Sequence, residues 1–209
     1  MRHRGQPKVA AGAPGMKKLF ALGVLVMGLA RLVAGEAAPG LKDAVILIIR
    51  HAEKPESGKE LSPAGFERAN AYVGYFETFQ ADGRPVKLDS LFAASDTENS
   101  VRPRLTLEPL SRALHIRLDT RFKDKEPETL ARELESKAHG TNILICWRHA
   151  RLPELAHDLG ADPAALLPGG KWPDDVFDWV IELRYDHEGR IIPGQCKRIS
   201  EGIKLKAAH

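Results

Sequence analysis

The chain predicts an α/β fold: a three-layer sandwich with a mostly parallel central sheet and helices on both faces. Three observations point there. Val45-Ile46-Leu47-Ile48-Ile49 and Asn142-Ile143-Leu144-Ile145-Cys146-Trp147 are apolar runs without polar alternation, the pattern of strands buried on both faces, as in a parallel sheet. Segments of helical period separate the strand-like runs. Both runs also end in an abrupt change to polar, basic residues: Arg50-His51-Ala52-Glu53-Lys54 after the first and Arg148-His149 after the second.

The elements follow in order. Residues 45–49 form the first strand. Ser62-Pro63 then opens a helix, with Ser as N-cap and Pro at the first helical position. Phe66, Ala69, Val73 and Phe76 recur at helical spacing as an expected core-facing stripe. Residues 88–94 read as the next strand and run into Ser95-Asp96. A helix is expected near residues 102–114, a short strand at Ile116-Arg117-Leu118, and a helix over residues 128–137 behind Pro127. After the strand at 142–147, residues 152–159 form a short helix, and residues 177–185 a strand near one edge of the sheet. Trp172-Pro173-Asp174-Asp175 is expected as an exposed loop, with Trp179 packed on the sheet.

Residues 1–35 stand apart as a secretory signal peptide. Basic Met16-Lys17-Lys18 precedes an uncharged apolar stretch, residues 19–30, and Val33-Ala34-Gly35 or Glu36-Ala37-Ala38 offers a small-residue cleavage site. That stretch has 12 residues, short of the roughly 20 that cross a bilayer. Translation starting at Met16 is one variant of this reading, and a retained amphipathic anchor is the alternative. The mature domain is then 36–209, periplasmic or secreted, with no stable membrane span after cleavage. Residues 1–35 hold six of the 31 Lys+Arg and none of the 28 Asp+Glu, which leaves 25 basic and 28 acidic residues, net −3, in residues 36–209. The basic balance of the whole chain therefore belongs to the leader and does not signal nucleic-acid binding. The remaining 174 residues suffice for one domain with a sizeable core. Two cysteines, Cys146 and Cys196, allow one disulfide or two free thiols. No Cys-x-x-Cys or paired-His zinc spacing occurs, so neither a metal nor a cofactor is expected.

In open α/β sheets ligands bind beyond the carboxyl ends of the strands. That places Arg50 and His51, and likewise Arg148 and His149, where chemistry is expected. A guanidinium beside an imidazole suits an oxyanion, most simply a phosphoryl group. The ordered set of segments resembles the histidine phosphatase, or phosphoglycerate mutase-like, superfamily. Arg50-His51-Ala52 is similar to its Arg-His-Gly signature, with Ala in place of Gly. Leu61-Ser62-Pro63-Ala64-Gly65-Phe66-Glu67-Arg68-Ala69 is similar to its Leu-Thr-x-x-Gly-x-x-Gln-Ala segment. Arg102-Pro103-Arg104-Leu105-Thr106 is similar to its Arg-x-x-Gln-Thr segment, and His149 matches the second histidine.

The resemblance implies a phosphoglycerate mutase-like fold and a metal-independent phosphomonoesterase. His51 is then the nucleophile that forms a phosphohistidine intermediate. Arg50 and Arg102 hold the phosphoryl oxygens, with Arg104 a rival for the second place. His149 is the second phosphate-binding histidine. Lys54 and Ser57 are candidates for the pocket mouth, and Lys54 is counted among the substrate-binding residues. The proton donor is sought between Arg102 and His149, among Asp119, Asp124, Glu126 and Glu128. Glu126 is preferred, although an acidic residue at a helix N-terminus also satisfies the macrodipole. His115, His139, His157 and His187 read as surface or core-satisfied. The expected partner is a small phosphorylated substrate, with oligomeric state open. The alternatives are a catalytically weak module of the same fold that binds a phosphorylated ligand, and a phosphomutase.

Overall fold

The structure, a computed structural model, describes residues 40–205; the leader read over residues 1–35 lies outside them. In chain order the elements are β1 (Val45–Arg50), α1 (Pro63–Glu77), β2 (Gln80–Ala81), β3 (Arg84–Pro85), β4 (Ser90–Ala93), α2 (Arg102–Leu114), β5 (Leu118–Asp119), α3 (Pro127–Ser136), β6 (Asn142–Trp147), α4 (Leu152–Asp158), α5 (Pro163–Leu166), β7 (Trp179–Arg184) and β8 (Lys197–Ser200). Six strands form one sheet in the order β5-β4-β6-β1-β7-β8. β1 pairs in parallel with β6, from Val45 beside Asn142 to Arg50 beside Trp147, and antiparallel with β7. β4 is parallel to β6 and to β5, and β8 is antiparallel to β7. The sheet is thus mostly parallel, with β7 the reversed strand.

All six residues of β1 are buried, and period two splits them between two cores. Ile46 and Ile48 join Ile143, Ile145, Ile181 and Leu183 under α3 and α4, with Leu130, Leu134, Leu152 and Leu155. Leu47 and Ile49 join Leu144, Cys146 and Val180 under α1 and α2, with Tyr72, Phe76, Leu107 and Leu110. Helices therefore cover both faces, the expected three-layer sandwich. Ile46, Leu47, Ile48 and Ile49 are completely buried, each worth about 1.5–3 kcal/mol. The strand that delivers His51 is accordingly held firmly from both sides.

Several expectations shift. α1 starts at Pro63 as expected, and the Ser62 hydroxyl caps it by accepting from the Gly65 N–H at 3.1 Å. Its buried face, however, is Gly65, Arg68, Ala69, Tyr72 and Phe76. Phe66 is exposed and Val73 half-buried, while Arg68, ion-paired to Glu53 and Glu201, lies on the buried face. The strand expected over 88–94 is confined to Ser90–Ala93, and the one expected at 116–118 lies at Leu118–Asp119. The Asp82-Gly83 turn, with φ of 51° and 74°, closes a β2–β3 hairpin not anticipated from the sequence. β7 does lie near one edge as expected, one strand in and covered by β8. Trp172 is buried, not in an exposed loop; it packs 5.6 Å from Trp179. Cys146 and Cys196 are both free thiols. Among the described residues no helix is long and apolar enough to cross a membrane.

Candidate active site

The paired register of β1 and β6 brings their carboxyl ends level, with Arg50 beside Trp147. The ladder continues one step further, since the His51 N–H donates to the Trp147 carbonyl at 3.0 Å. His51 and His149 therefore emerge side by side, their rings 6.4 Å apart and edge-on. The reversed direction of β7 carries the preceding segment, 172–177, to this same end of the sheet.

His51 is buried, and its Nδ1 lies 2.8 Å from the Ala52 carbonyl oxygen. A carbonyl only accepts, so Nδ1 carries the hydrogen and Nε2 keeps the lone pair. Burial pushes the imidazole pKa down to about 3, against the bond to Ala52, and the Arg50 and Arg102 charges press it the same way. His51 is thus neutral at physiological pH with a free basic nitrogen.

Arg50 is completely buried. One terminal nitrogen donates to the carbonyls of Pro173, Asp174 and Val176 at 3.1, 2.9 and 2.7 Å. The other approaches His149 Nδ1 at 3.3 Å, and the guanidinium carbon lies 3.7 Å from the centre of the Phe177 ring. The fork therefore braces the 173–177 loop against the histidines, a geometry a Lys point charge does not reproduce. Burial draws its pKa down to about 10, so it stays cationic at neutral pH.

Arg102 occupies the first turn of α2 and donates to the Gly58 and Asn99 carbonyls at 3.0 and 3.5 Å. Burial, then the Arg148 charge, lowers its pKa. Its charge is felt at His51, whereas Arg104 points away to Asp96 at 2.8 Å and Glu108 at 3.4 Å. The Nε atoms of both Arg50 and Arg102 are buried without a partner. A buried donor left unmade costs about 1–3 kcal/mol, and more when charged, so each is a place for an anionic acceptor.

His149 follows β6 in a short 3-10 turn, His149–Arg151. Its Nδ1 accepts from Arg50, and its Nε2 gives its hydrogen to Asp174 Oδ1 at 2.8 Å. Burial, then the Arg50 charge, lowers its pKa against the pull of Asp174. Exposed Lys54 is close enough for its charge to reach His149. Ser57 is exposed.

A second ring of contacts fixes the turn after His51. The Thr106 hydroxyl accepts from the Ala52 N–H at 2.9 Å and donates to the Arg102 carbonyl at 2.8 Å. This ties the first motif to the second arginine. Ala52, where the resembled signature has Gly, packs with Leu61 and Ala69 and avoids the left-handed backbone region, so its methyl group is accommodated. Arg68 grips Glu53 through Nε and Nη2 and Glu201 through Nη1 at 2.7 Å, and Tyr72 donates to Glu201 at 2.7 Å.

The structure thus brings Arg50, His51, Arg102, His149 and Lys54 into one region. Glu126 does not join them through any of its contacts. It stands at the N-cap position of α3 without a side-chain capping bond, is exposed, and pairs with Lys123 at 3.3 Å. Asp124 is buried against Arg148 at 2.8 Å. The sequence reading missed Asp174 and Phe177. Their signal was the apolar run of β7 just behind them, legible only once that strand is known to run antiparallel beside β1. Among the described residues, no group of three or more His, Cys, Asp or Glu is arranged to hold a metal ion.

No protein-family model matches the sequence, and no curated protein matches it. Solved structures similar to the chain include phosphatases and phosphoglycerate mutases. Phosphoglycerate mutase from Plasmodium falciparum is 14% identical, with a TM-score of 0.48 over 79% of this chain and 96% of that one. The putative phosphohistidine phosphatase SixA from Agrobacterium tumefaciens is 19% identical, with 0.43 over 76% and 99%. The alpha-ribazole phosphatase from Shigella flexneri is 15% identical, with 0.47 over 75% and 99%.

Proposed function

We propose that the chain is a phosphoric monoester hydrolase of the histidine phosphatase type, acting on a small phosphorylated substrate without a metal. One observation carries the reading: a buried, neutral His51, with Nδ1 committed to Ala52, lies beside two arginines that each hold an unpartnered buried N–H. The Nε2 lone pair forms a bond to phosphorus as the ester P–O bond breaks, giving phosphohistidine; water then cleaves the P–N bond and releases phosphate. Arg102, Arg50 Nε and the His149 N–H supply fixed donors for charge spread over the phosphoryl oxygens. The leader composition supports a periplasmic or secreted location.

The rival is a module that binds a phosphorylated ligand with little turnover. It is favoured by the commitment of Glu53 and Asp124 to arginines, which removes two obvious acids. Phosphate release from a panel of monoesters in EDTA, by the chain and by His51→Ala, separates the two. Turnover that survives chelation and vanishes in the variant fits the phosphatase. Phosphate or vanadate binding without turnover fits the module. Turnover untouched by His51→Ala contradicts the site assignment.

A further inference from the structure

We propose that Asp174 is the catalytic acid and base of this site, acting on the oxygen that links phosphorus to the leaving alcohol. The inference rests on the phosphatase reading above and supplies the proton donor that Glu126 does not. Its backbone and side chain play separate parts. The Asp174 carbonyl is pinned by buried Arg50 at 2.9 Å, so the residue's position is fixed relative to both histidines. Its carboxylate is 92% exposed and touches His149 Nε2 at 2.8 Å. The side chain is thus free to turn while its anchor stays still.

The Nε2 hydrogen that Asp174 accepts is the donor His149 would offer to a phosphoryl oxygen. A bound phosphoryl group therefore displaces the carboxylate and leaves it beside the reacting centre. Two other carboxylates of this region are committed elsewhere, Glu53 to Arg68 and Asp124 to Arg148. Asp174 and His149 also share a cavity of about 410 Å³ with Pro153, Lys171 and Trp172. This open space beside the second histidine is where the alcohol half of the ester lies.

In the first step the His51 Nε2 lone pair forms the N–P bond. The P–O bond breaks, and its oxygen takes the proton from the Asp174 carboxyl group, which drew it from solvent. The products are phosphohistidine, a neutral alcohol and the Asp174 carboxylate. In the second step that carboxylate takes a proton from water as the water oxygen bonds to phosphorus. The P–N electron pair returns to His51, and Asp174 is protonated again.

The test compares two esters on the full chain and on Asp174→Asn, Asp174→Ala and Asp175→Asn. One ester is an alkyl phosphate, whose alkoxide needs a proton to leave; the other is p-nitrophenyl phosphate, whose phenolate does not. Expected in kcat/KM, which reads phosphohistidine formation and not the water step common to both esters, is a loss of about 10²–10⁴-fold on the alkyl ester in both Asp174 variants, as for removal of a general acid. The aryl ester should lose far less, and Asp175→Asn should leave both rates near wild type. Equal loss on the two esters, or no loss on the alkyl ester, overturns the donor assignment while leaving the phosphatase reading standing. No turnover of either ester by the unmodified chain overturns both.

Discussion

Two glycines of α1 should respond in opposite senses to the same substitution. A methyl carbon at Gly65 would fall well inside contact distance of the Glu53 carbonyl oxygen, and 3.1 Å from both the Glu53 nitrogen and Leu61 Cβ. That carbonyl cannot retreat cheaply, because it accepts the Ser62 N–H at 2.9 Å at the start of the helix. Gly74 is exposed on the same helix, with nothing within 4 Å of such a carbon. Replacing an exposed mid-helix Gly by Ala gains about 0.5–1 kcal/mol. Crowding a packed site costs about 1–3 kcal/mol, and the helix-propensity gain offsets only part of that in a first turn. For a domain of this size 1 kcal/mol moves Tm by about 2–4 °C. Gly74→Ala should therefore raise Tm by about 1–4 °C, and Gly65→Ala should lower it by several degrees. Since Glu53 is two residues beyond His51, Gly65→Ala should also depress kcat/KM, as small misplacements of reacting groups do. Thermal and urea unfolding of both variants, with phosphatase rates, read the comparison. A Gly65→Ala protein stabilised like Gly74→Ala would refute the packing argument.

Three further outcomes follow from particular contacts. Arg102→Lys should reduce kcat/KM by about 10–100-fold, the worth of one charge-assisted bond; Arg104→Lys, whose bridges are exposed, should stay within about twofold, and steady-state kinetics on one ester compare them. Because the folded state holds His51 near pKa 3 while the unfolded chain titrates at 6.5, its contribution is fully present above pH 6.5 and lost on acidification. Urea titrations at pH 7.5 and 5 should show the wild type losing about 2 kcal/mol more than His51→Gln; parallel losses would contradict a buried neutral imidazole. Thiol titration without reductant should count two free thiols in denaturant, while Cys146, buried and with its thiol pushed far up by burial, stays unreactive in the native protein.

What the sequence carried, and what it did not, follows from the range of each interaction. β1 and β6 were legible because burial on both faces leaves a continuous aliphatic run, and the α1 start because capping is local to Ser62-Pro63. The face of α1 was not, since Arg68 is buried by partners 15 and 133 residues away, which an apolar periodicity does not register. The β2–β3 hairpin was missed although its signal is local, since Asp82-Gly83 is a two-residue turn signature. The histidines and arginines sit at strand ends and in motifs, where sequence position implies spatial position. Asp174 and Phe177 reach the same place only through the reversal of β7, a property of sheet pairing rather than of any short segment. Glu126 was preferred for its place before Pro127 at a helix entry, and its carboxylate instead pairs with Lys123 three residues earlier.

The central claim is a covalent bond between His51 Nε2 and phosphorus. Rapid acid-free quenching during turnover of a ³²P-labelled ester, followed by peptide mapping, tests it most directly. The account predicts an acid-labile, base-stable label on the peptide containing His51, absent in His51→Ala and retained in Glu126→Gln. A label on another residue, or turnover with no covalent phosphate at any quench time, would contradict it.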